Sequence, residues 1–487
     1  MMMVELLLAI PVVASLLCFL LPKGKLSAIV SIVFSTATSA VAVILCYDAF
    51  IGNVTEYSIW YVDSLSALFI VLIATVSTLA SLYSYGYIAY EREEGMINSK
   101  DERFYYIIFH LFVAVMFAVC VVKSLGALWI AIEATTLVSA FLVGFYKKES
   151  STEAAWKYIM ICSVGITLAL VGIMLIYASS VTVLGDSPGA LDWIVLYNAA
   201  PGLDPELVKM SFVFVMIGFG TKMGLAPMHT WLPDAHSQSP SPISAMLSAV
   251  LLNCALYGIL RFKMITDVVV PGFTSPILIG FGLFSLAVAA AFIVNSKDVK
   301  RMLAYSSVEH MGIIAIGFGI GTPLAVFGAL FHVIAHSLTK SLIFFAAGNA
   351  VQSYGTRDMS EIRGMKEKMP FTAFMLTAGT LAIVGLPPFA IFLGEVTILS
   401  GAVGAGMHYI AAIMVGLIII IFAGFLRNIF PMMSGTTDKD VRGPKDPIRA
   451  MPFFMLLIAI LFFGLLIPDQ VRETFEAIAS LVTGGMP

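Results

Sequence analysis

Apolar residues run along nearly the whole chain in stretches of about 20, the length an α-helix needs to cross a bilayer at about 1.5 Å rise per residue. The runs predict fourteen helices, near residues 3–22, 26–50, 60–88, 104–122, 124–146, 156–180, 208–233, 240–262, 274–295, 301–320, 322–350, 371–402, 405–430 and 450–468. The longest polar connections, near 89–103, 181–207 and 431–449, are too short for a domain of ~100 residues. The pattern therefore predicts an all-α polytopic membrane protein without a soluble catalytic domain. In the first run Glu5 has no basic residue before it, and Lys23 and Lys25 follow the run. That is the reverse of a cleavable signal peptide's charge order, so the run is expected to be a retained helix.

Two runs carry proline at mid-span. Gly224-Leu225-Ala226-Pro227 lies in the seventh and Gly385-Leu386-Pro387-Pro388 in the twelfth. Proline removes a backbone donor and clashes with the preceding turn, so Pro227, Pro387 and Pro388 are expected to break their helices. A shift of 161 residues superposes the two breaks and also sets Leu393 on Leu232 and Glu395 on Asp234, which predicts a duplicated unit of about five helices. One such proline alone reads equally well as a packing kink. Two matching breaks point to a conduction path, because non-helical backbone at membrane depth is tolerated where protein buries it or where it lines a watery cavity.

Composition narrows the class. Of 487 residues, 60% are hydrophobic and 12% charged, against about 25% charged in a soluble chain. The net charge of -3 gives no basic field to recruit nucleic acid. The five cysteines form no C-x-x-C, which argues against a zinc or iron–sulfur site. Loops after odd-numbered helices, from Lys23 and Lys25 to Arg427, Lys439, Arg442, Lys445 and Arg449, hold twenty Lys and Arg; the opposite side holds five. By the positive-inside rule both termini are expected on the outer face of the cell (cytoplasmic) membrane. The remaining two, Lys222 and Lys340, fall inside predicted helices.

A charge at the bilayer centre costs roughly 2.5–3.5 kcal/mol, which makes each such residue a functional candidate. Glu133 sits mid-way along the fifth helix, Lys222 two residues before the seventh-helix break, and Glu395 just past the twelfth-helix break. His332, His336 and Lys340 recur every four residues and so share one face of the eleventh helix. The bland readings are an inert Glu133–Lys222 ion pair and a hydrogen-bonded core histidine. His110 and His408, single in apolar runs, are expected to be packing or boundary residues. The chemistry this set offers is proton transfer. A carboxylate approaching a buried ammonium favours its charged form, so movement of Glu133 relative to Lys222 would switch proton release, and histidines can relay the proton.

Two stretches are diagnostic: Lys222-Met-Gly-Leu-Ala-Pro227-Met-His229-Thr-Trp231-Leu-Pro-Asp234-Ala-His236-Ser-Gln-Ser-Pro240-Ser-Pro242 and Asp298-Val-Lys300-Arg301-Met-Leu-Ala-Tyr305-Ser306-Ser307-Val-Glu309-His310-Met-Gly312. They resemble the signatures of the antiporter-like proton-pumping subunits: the large membrane-arm subunits of respiratory complex I, Mrp sodium/proton antiporter subunits, and their relatives in group 4 membrane-bound hydrogenases. Trp129–Thr136 and Ser306–Met311 are similar to the hydrogenase-linked branch.

The resemblance implies three N-terminal helices (1–103), two inverted five-helix half-channels (104–262 and 274–430), and a C-terminal helix and tail (450–487). It implies that Glu133, Lys222, His332, His336, Lys340 and Glu395 carry protons, supported by His229, Ser306, Ser307 and His310. Where many members place a Lys or His in the eighth helix, this chain has Asn253, so ordered water held by Asn253 and Tyr257 is expected to bridge the half-channels. The implied partners are other membrane subunits of a redox-driven complex, with no cofactor or metal in this chain. The alternative within the family is an Mrp-type Na⁺/H⁺ antiporter subunit. A quinone- or haem-bearing subunit would need axial ligands on facing helices, whereas His332 and His336 share one helix.

Overall fold

The computed structural model describes residues 2–21, 24–187, 189–437, 441, 443–444 and 446–484. Lys23, Lys439, Arg442 and Lys445 of the charge bias lie outside them. The helices are α1 (Met2–Leu20), α2 (Gly24–Phe50), α3 (Ser64–Glu93), α4 (Ser99–Val121), α5 (Leu125–Val143), α6 (Glu149–Leu184), α7 (Trp193–Ala199), α8 (Pro205–Met223), α9 (Trp231–Gln238), α10 (Ser241–Met246), α11 (Leu252–Val269), α12 (Thr274–Val294), α13 (Val299–Ile320), α14 (Pro323–Tyr354), α15 (Met365–Lys368), α16 (Pro370–Ile383), α17 (Ala390–Gly404), α18 (His408–Met433), α19 (Pro447–Leu465) and α20 (Asp469–Val482). Among them 13 segments are long and apolar enough to cross a membrane, counting α8 with α9 and α10 with α11; the shorter α16 and α17 divide one more span.

Both breaks form where proline and glycine dictate. α8 stops at Met223 because Gly224 takes a left-handed φ of 80° and turns its N–H back onto the Gly220 and Thr221 carbonyls, a conformation that a side chain disfavours. The chain resumes at Trp231. Gly385, with φ 69°, plays the same part between α16 and α17.

The five-helix duplication is visible in the packing. In the first unit α4 packs on α5, α5 on α6, α6 along both α8 and α9, and α11 returns to α4. In the second, α12 packs on α13, α13 on α14, α14 along both α16 and α17, and α18 returns to α12. Five crossings is an odd number, so the second unit is threaded through the bilayer in the opposite sense. The units meet along α9, α10, α13 and α14. The apolar windows of the α10–α11 span and of α13 are 100% buried and that of α14 is 94% buried, whereas those of α18 and α19 are 28% buried. Polar residues on the inner helices are therefore enclosed by protein and must find partners there.

Several features depart from the sequence reading. The third span begins at Ser64, because Asp63 caps it by accepting the Ser66 N–H at 2.8 Å. Ahead of it, β1 (Thr55–Tyr57) and β2 (Trp60–Val62) form an antiparallel hairpin. The connection near 181–207 contains α7. The C-terminal tail forms α20, whose Phe475, Ile478, Ala479 and Val482 recur at helical spacing and pack on α14, α3 and α11. A π-helical turn, Leu247–Leu251, joins α10 to α11.

Candidate functional site

In the first unit α6 packs between α5 and α8, and its side chains separate the two residues expected to pair. Lys222, buried in the last turn of α8, donates to the Tyr158 hydroxyl of α6 at 2.7 Å and lies 4.8 Å from the centre of its ring. The Tyr158 hydroxyl is also 2.7 Å from Ser139 Oγ on α5. Glu133, half-buried on α5, accepts from Ser163 Oγ of α6 at 2.7 Å and from Thr136 Oγ1 at 3.3 Å. Among the described residues Glu133 and Lys222 form no direct ion pair, and hydroxyls occupy the space between them. The α8 break suits the lysine, since the carbonyl end of a helix carries partial negative charge. Trp231 Nε1 donates to the Thr221 carbonyl at 2.8 Å across that break, and its ring packs on Tyr158 at a 39° tilt with centroids 4.7 Å apart.

The second unit uses different groups. Lys340 of α14 donates to the Leu303 carbonyl of α13 at 2.7 Å and to the Ser306 hydroxyl. His310 Nδ1 of α13 and His332 Nε2 of α14 are 3.0 Å apart, and the His310 and His336 rings have centroids 5.3 Å apart. Glu395 of α17 turns into this cluster: His310, His332 and Glu395 each present a ligand-type atom within 4.8 Å of the others. Two glycines make the room. A Cβ on Gly385 would collide with the Glu395 carboxylate, and one on Gly394 would lie 2.9 Å from His332 Nδ1. These three side chains are the set a metal ion can use, although the His310–His332 hydrogen bond already occupies one nitrogen of each ring.

Between the units, Asn253 Nδ2 donates to the Ala249 carbonyl of the π-turn at 2.6 Å and to Ser337 Oγ of α14 at 3.0 Å, leaving its Oδ1 buried without a partner. Ser307 Oγ meets Ser248 Oγ at 2.7 Å. Tyr257, expected beside Asn253 on the water bridge, belongs to another group. Its hydroxyl lies 3.0 Å from Ser66 Oγ and accepts from Arg261 at 3.1 Å, and Arg261 forms a bidentate pair with Asp63 at 2.7 and 2.8 Å. The cause is one helical turn along α11, which carries Tyr257 past α14 toward the capped start of α3. His229 lies in the turn after the first break with its ring toward Tyr305, centroids 6.1 Å apart.

Sequence reasoning missed Tyr158, Ser139, Ser163, Ser248 and Ser337, because neutral hydroxyls in apolar helices carry no signal of their own. It also passed over Glu309 and His236, both buried, although each lay inside a quoted motif and Glu309 fell within a predicted span. Arg261, Lys300 and Arg449 were assigned to loops or helix ends, yet all three are buried: Lys300 donates to the Ser239 carbonyl at 2.5 Å and Arg449 to Asn349.

Residues 122–421, more than half the chain, match the family model for the transmembrane region of NADH:quinone oxidoreductases and Mrp antiporters. The chain belongs to this family. Residues 51–96 also match the N-terminal model of complex I chain 5. This antiporter-family chain is similar to a hydrogenase-4 component F homolog of Methylacidiphilum infernorum, 39% identical over 422 residues, covering 86% of this chain and 88% of the relative. It is also similar to NADH-quinone oxidoreductase subunit N of Desulforudis audaxviator, 32% identical over 359 residues, covering 73% and 68%. In fold it resembles a chain of an archaeal membrane-bound sulfane sulfur reductase, with a TM-score of 0.87 at 24% identity over 99% of this chain and 97% of that one. A chain of the Mrp complex from Dietzia sp. gives 0.86 at 18% identity, with full coverage of both. The family expected from the two motifs is thus the family found, and the protein is a multi-pass membrane protein.

Proposed function

We propose that this antiporter-family chain translocates protons as one subunit of a redox-driven membrane complex of the membrane-bound hydrogenase type. The observation that carries this reading is a series of titratable and hydroxyl groups, half-buried at Glu133 and Ser163 and buried from Tyr158 onward. It leads from Glu133 and Ser163 through Tyr158 and Lys222, past Ser248, Asn253 and Ser337, to Lys340, His336, His310, His332 and Glu395. Residues 104–262 and 274–430 act as the two half-channels. Each lysine sits where its unit needs an exchangeable proton, and hydroxyls and imidazoles hand protons on without leaving their helices.

The ligand chemistry favours H⁺ over Na⁺. A hard cation needs several oxygen ligands converging on one point, and the described relay presents ammonium and imidazole groups at its centres. The driving redox step belongs to partner subunits, in keeping with relatives named as hydrogenase and quinone oxidoreductase components. The Lys/Arg bias supports a location in the cytoplasmic membrane with both termini outside.

The test is proton flux by the assembled complex in proteoliposomes, driven by its electron donor, with and without Na⁺. Equal flux in Na⁺-free buffer is expected. Strict dependence on Na⁺ would favour the Mrp-type exchange.

A further inference from the structure

The second unit holds a buried carboxyl that the relay just described does not use. Glu309 lies on α13, one turn beyond Ser306, which receives Lys340, and next to His310, which bonds His332. Its residue is 2% exposed, and its Oε2 has no hydrogen-bond partner. α13 packs against both α14, which carries Lys340, and α17, which carries Glu395. Glu395 presents a carboxylate oxygen within 4.8 Å of a ring nitrogen of His310, the residue after Glu309.

Charge balance makes this arrangement useful. Burying net charge in a dry interior is costly, so the favoured states of Lys340, Glu309 and Glu395 taken together are net neutral. Two such states share the same number of protons: an ammonium with one ionised and one protonated carboxyl, or a neutral amine with both carboxyls protonated. They differ by a single proton moved from Lys340 to a carboxyl, and neither state creates unbalanced charge.

We infer that Glu309 is a second proton-carrying residue of this unit, standing between Lys340 and Glu395. The lysine N–H bond breaks as the Glu309 O–H bond forms. A proton is then released from Glu395, its loss balanced by reprotonation of Lys340 from the first unit, and Glu309 passes its own proton to the Glu395 carboxylate. The imidazoles of His310, His332 and His336 flank this carboxyl route.

The inference rests on the proton-translocating reading, so its test includes a variant of the first unit. In the full complex reconstituted in proteoliposomes, Glu309→Gln is expected to assemble with an unchanged melting temperature and to lose at least about tenfold in flux per complex. Glu309→Asp is expected to recover part of that loss. Infrared difference spectra of the working complex should lose one carboxyl C=O band in Glu309→Gln and shift it in Glu309→Asp, which a packing role would not produce. Parental flux or an unaltered carboxyl spectrum in Glu309→Gln, beside a Lys222→Ala complex that does not pump, overturns the role of Glu309 and leaves the relay intact. Parental flux in Lys222→Ala as well overturns the proton-translocating reading itself. Should Glu309→Gln fail to assemble, the Asp variant decides by the same two readouts.

Discussion

The two five-helix units share a fold and differ in what fills it. The first surrounds one lysine with hydroxyls, Tyr158 and Ser139, and places its carboxylate, Glu133, at a half-buried position on α5 beside Ser163. The second bonds its lysine to the Leu303 carbonyl and Ser306 and holds three buried histidines and two buried carboxyls on α13, α14 and α17. A hydroxyl passes a proton but does not keep one, whereas imidazoles and carboxyls can hold protons. On the proton-translocating reading proposed above, the first unit would gate a proton at Lys222 and the second would store and release several. What the duplication preserves is the broken helix and the helix packed along it; the carriers diverged.

The comparison is broken most directly at its two lysines. Lys222→Ala and Lys340→Ala should each abolish proton flux in assembled complexes, because units in series fail together. If each variant keeps about half the flux, the units conduct in parallel. Between them, Asn253→Leu should cut flux by about a hundredfold, since the unpartnered Oδ1 of Asn253 is a place to hold water and leucine offers no polar atom to do so. Asn253→Lys should conduct. Full flux with a slightly lowered melting temperature in the leucine variant would reduce Asn253 to an interhelical hydrogen bond.

Arg261→Ala sharpens the comparison from outside both relays. It leaves Asp63 buried and unpaired, so a stability loss of about 3–5 kcal/mol is expected, read as a lower melting temperature with unchanged flux per folded complex. Tyr158→Phe removes the one hydroxyl bonded to Lys222 Nζ among the described residues. Flux should fall about tenfold, equivalent to ~1.4 kcal/mol on the barrier, with little change in melting temperature. The smallest effect is expected at the exit: Glu395→Gln should slow release severalfold, and Glu395→Lys should retain more of the flux. Parental behaviour in both would make Glu395 structural and move the exit elsewhere.

The spans and their two interruptions were legible because bilayer thickness fixes run length and proline fixes where a helix stops. Lys222, His332, His336, Lys340 and Glu395 were legible because charge is rare in an apolar run. The same rule applied evenly reaches Glu309, which lies well inside α13. Tyr158 was not legible, since nothing in a sequence says which hydroxyl of a long helix will face a lysine 64 residues away. Arg261 and Lys300 were hidden by position: basic residues near the end of a run look interfacial, and the packing of α3 and α7 around Arg261 and of α9 on α13 near Lys300 buries them.

The π-turn at Leu247–Leu251 has a consequence for how this chain tolerates length changes. A π-turn accommodates one residue more than an α-helix would at the same place. Here it leaves the Ala249 carbonyl accepting from both Asn253 and Ser337. Deleting any one residue there would let the turn relax to regular winding and leave the segments on either side in their present register, whereas the same deletion in a regular turn of α11 would rotate everything after it by about 100°. Asn253 would keep its face toward α14 and Arg261 its pair with Asp63 after a deletion inside the π-turn, and a deletion between Leu252 and Arg261 would swing Arg261 away from Asp63. The π-turn is thus the place in this span where a one-residue change in length is absorbed, and the regular turns after it are where such a change breaks the clamp onto α3.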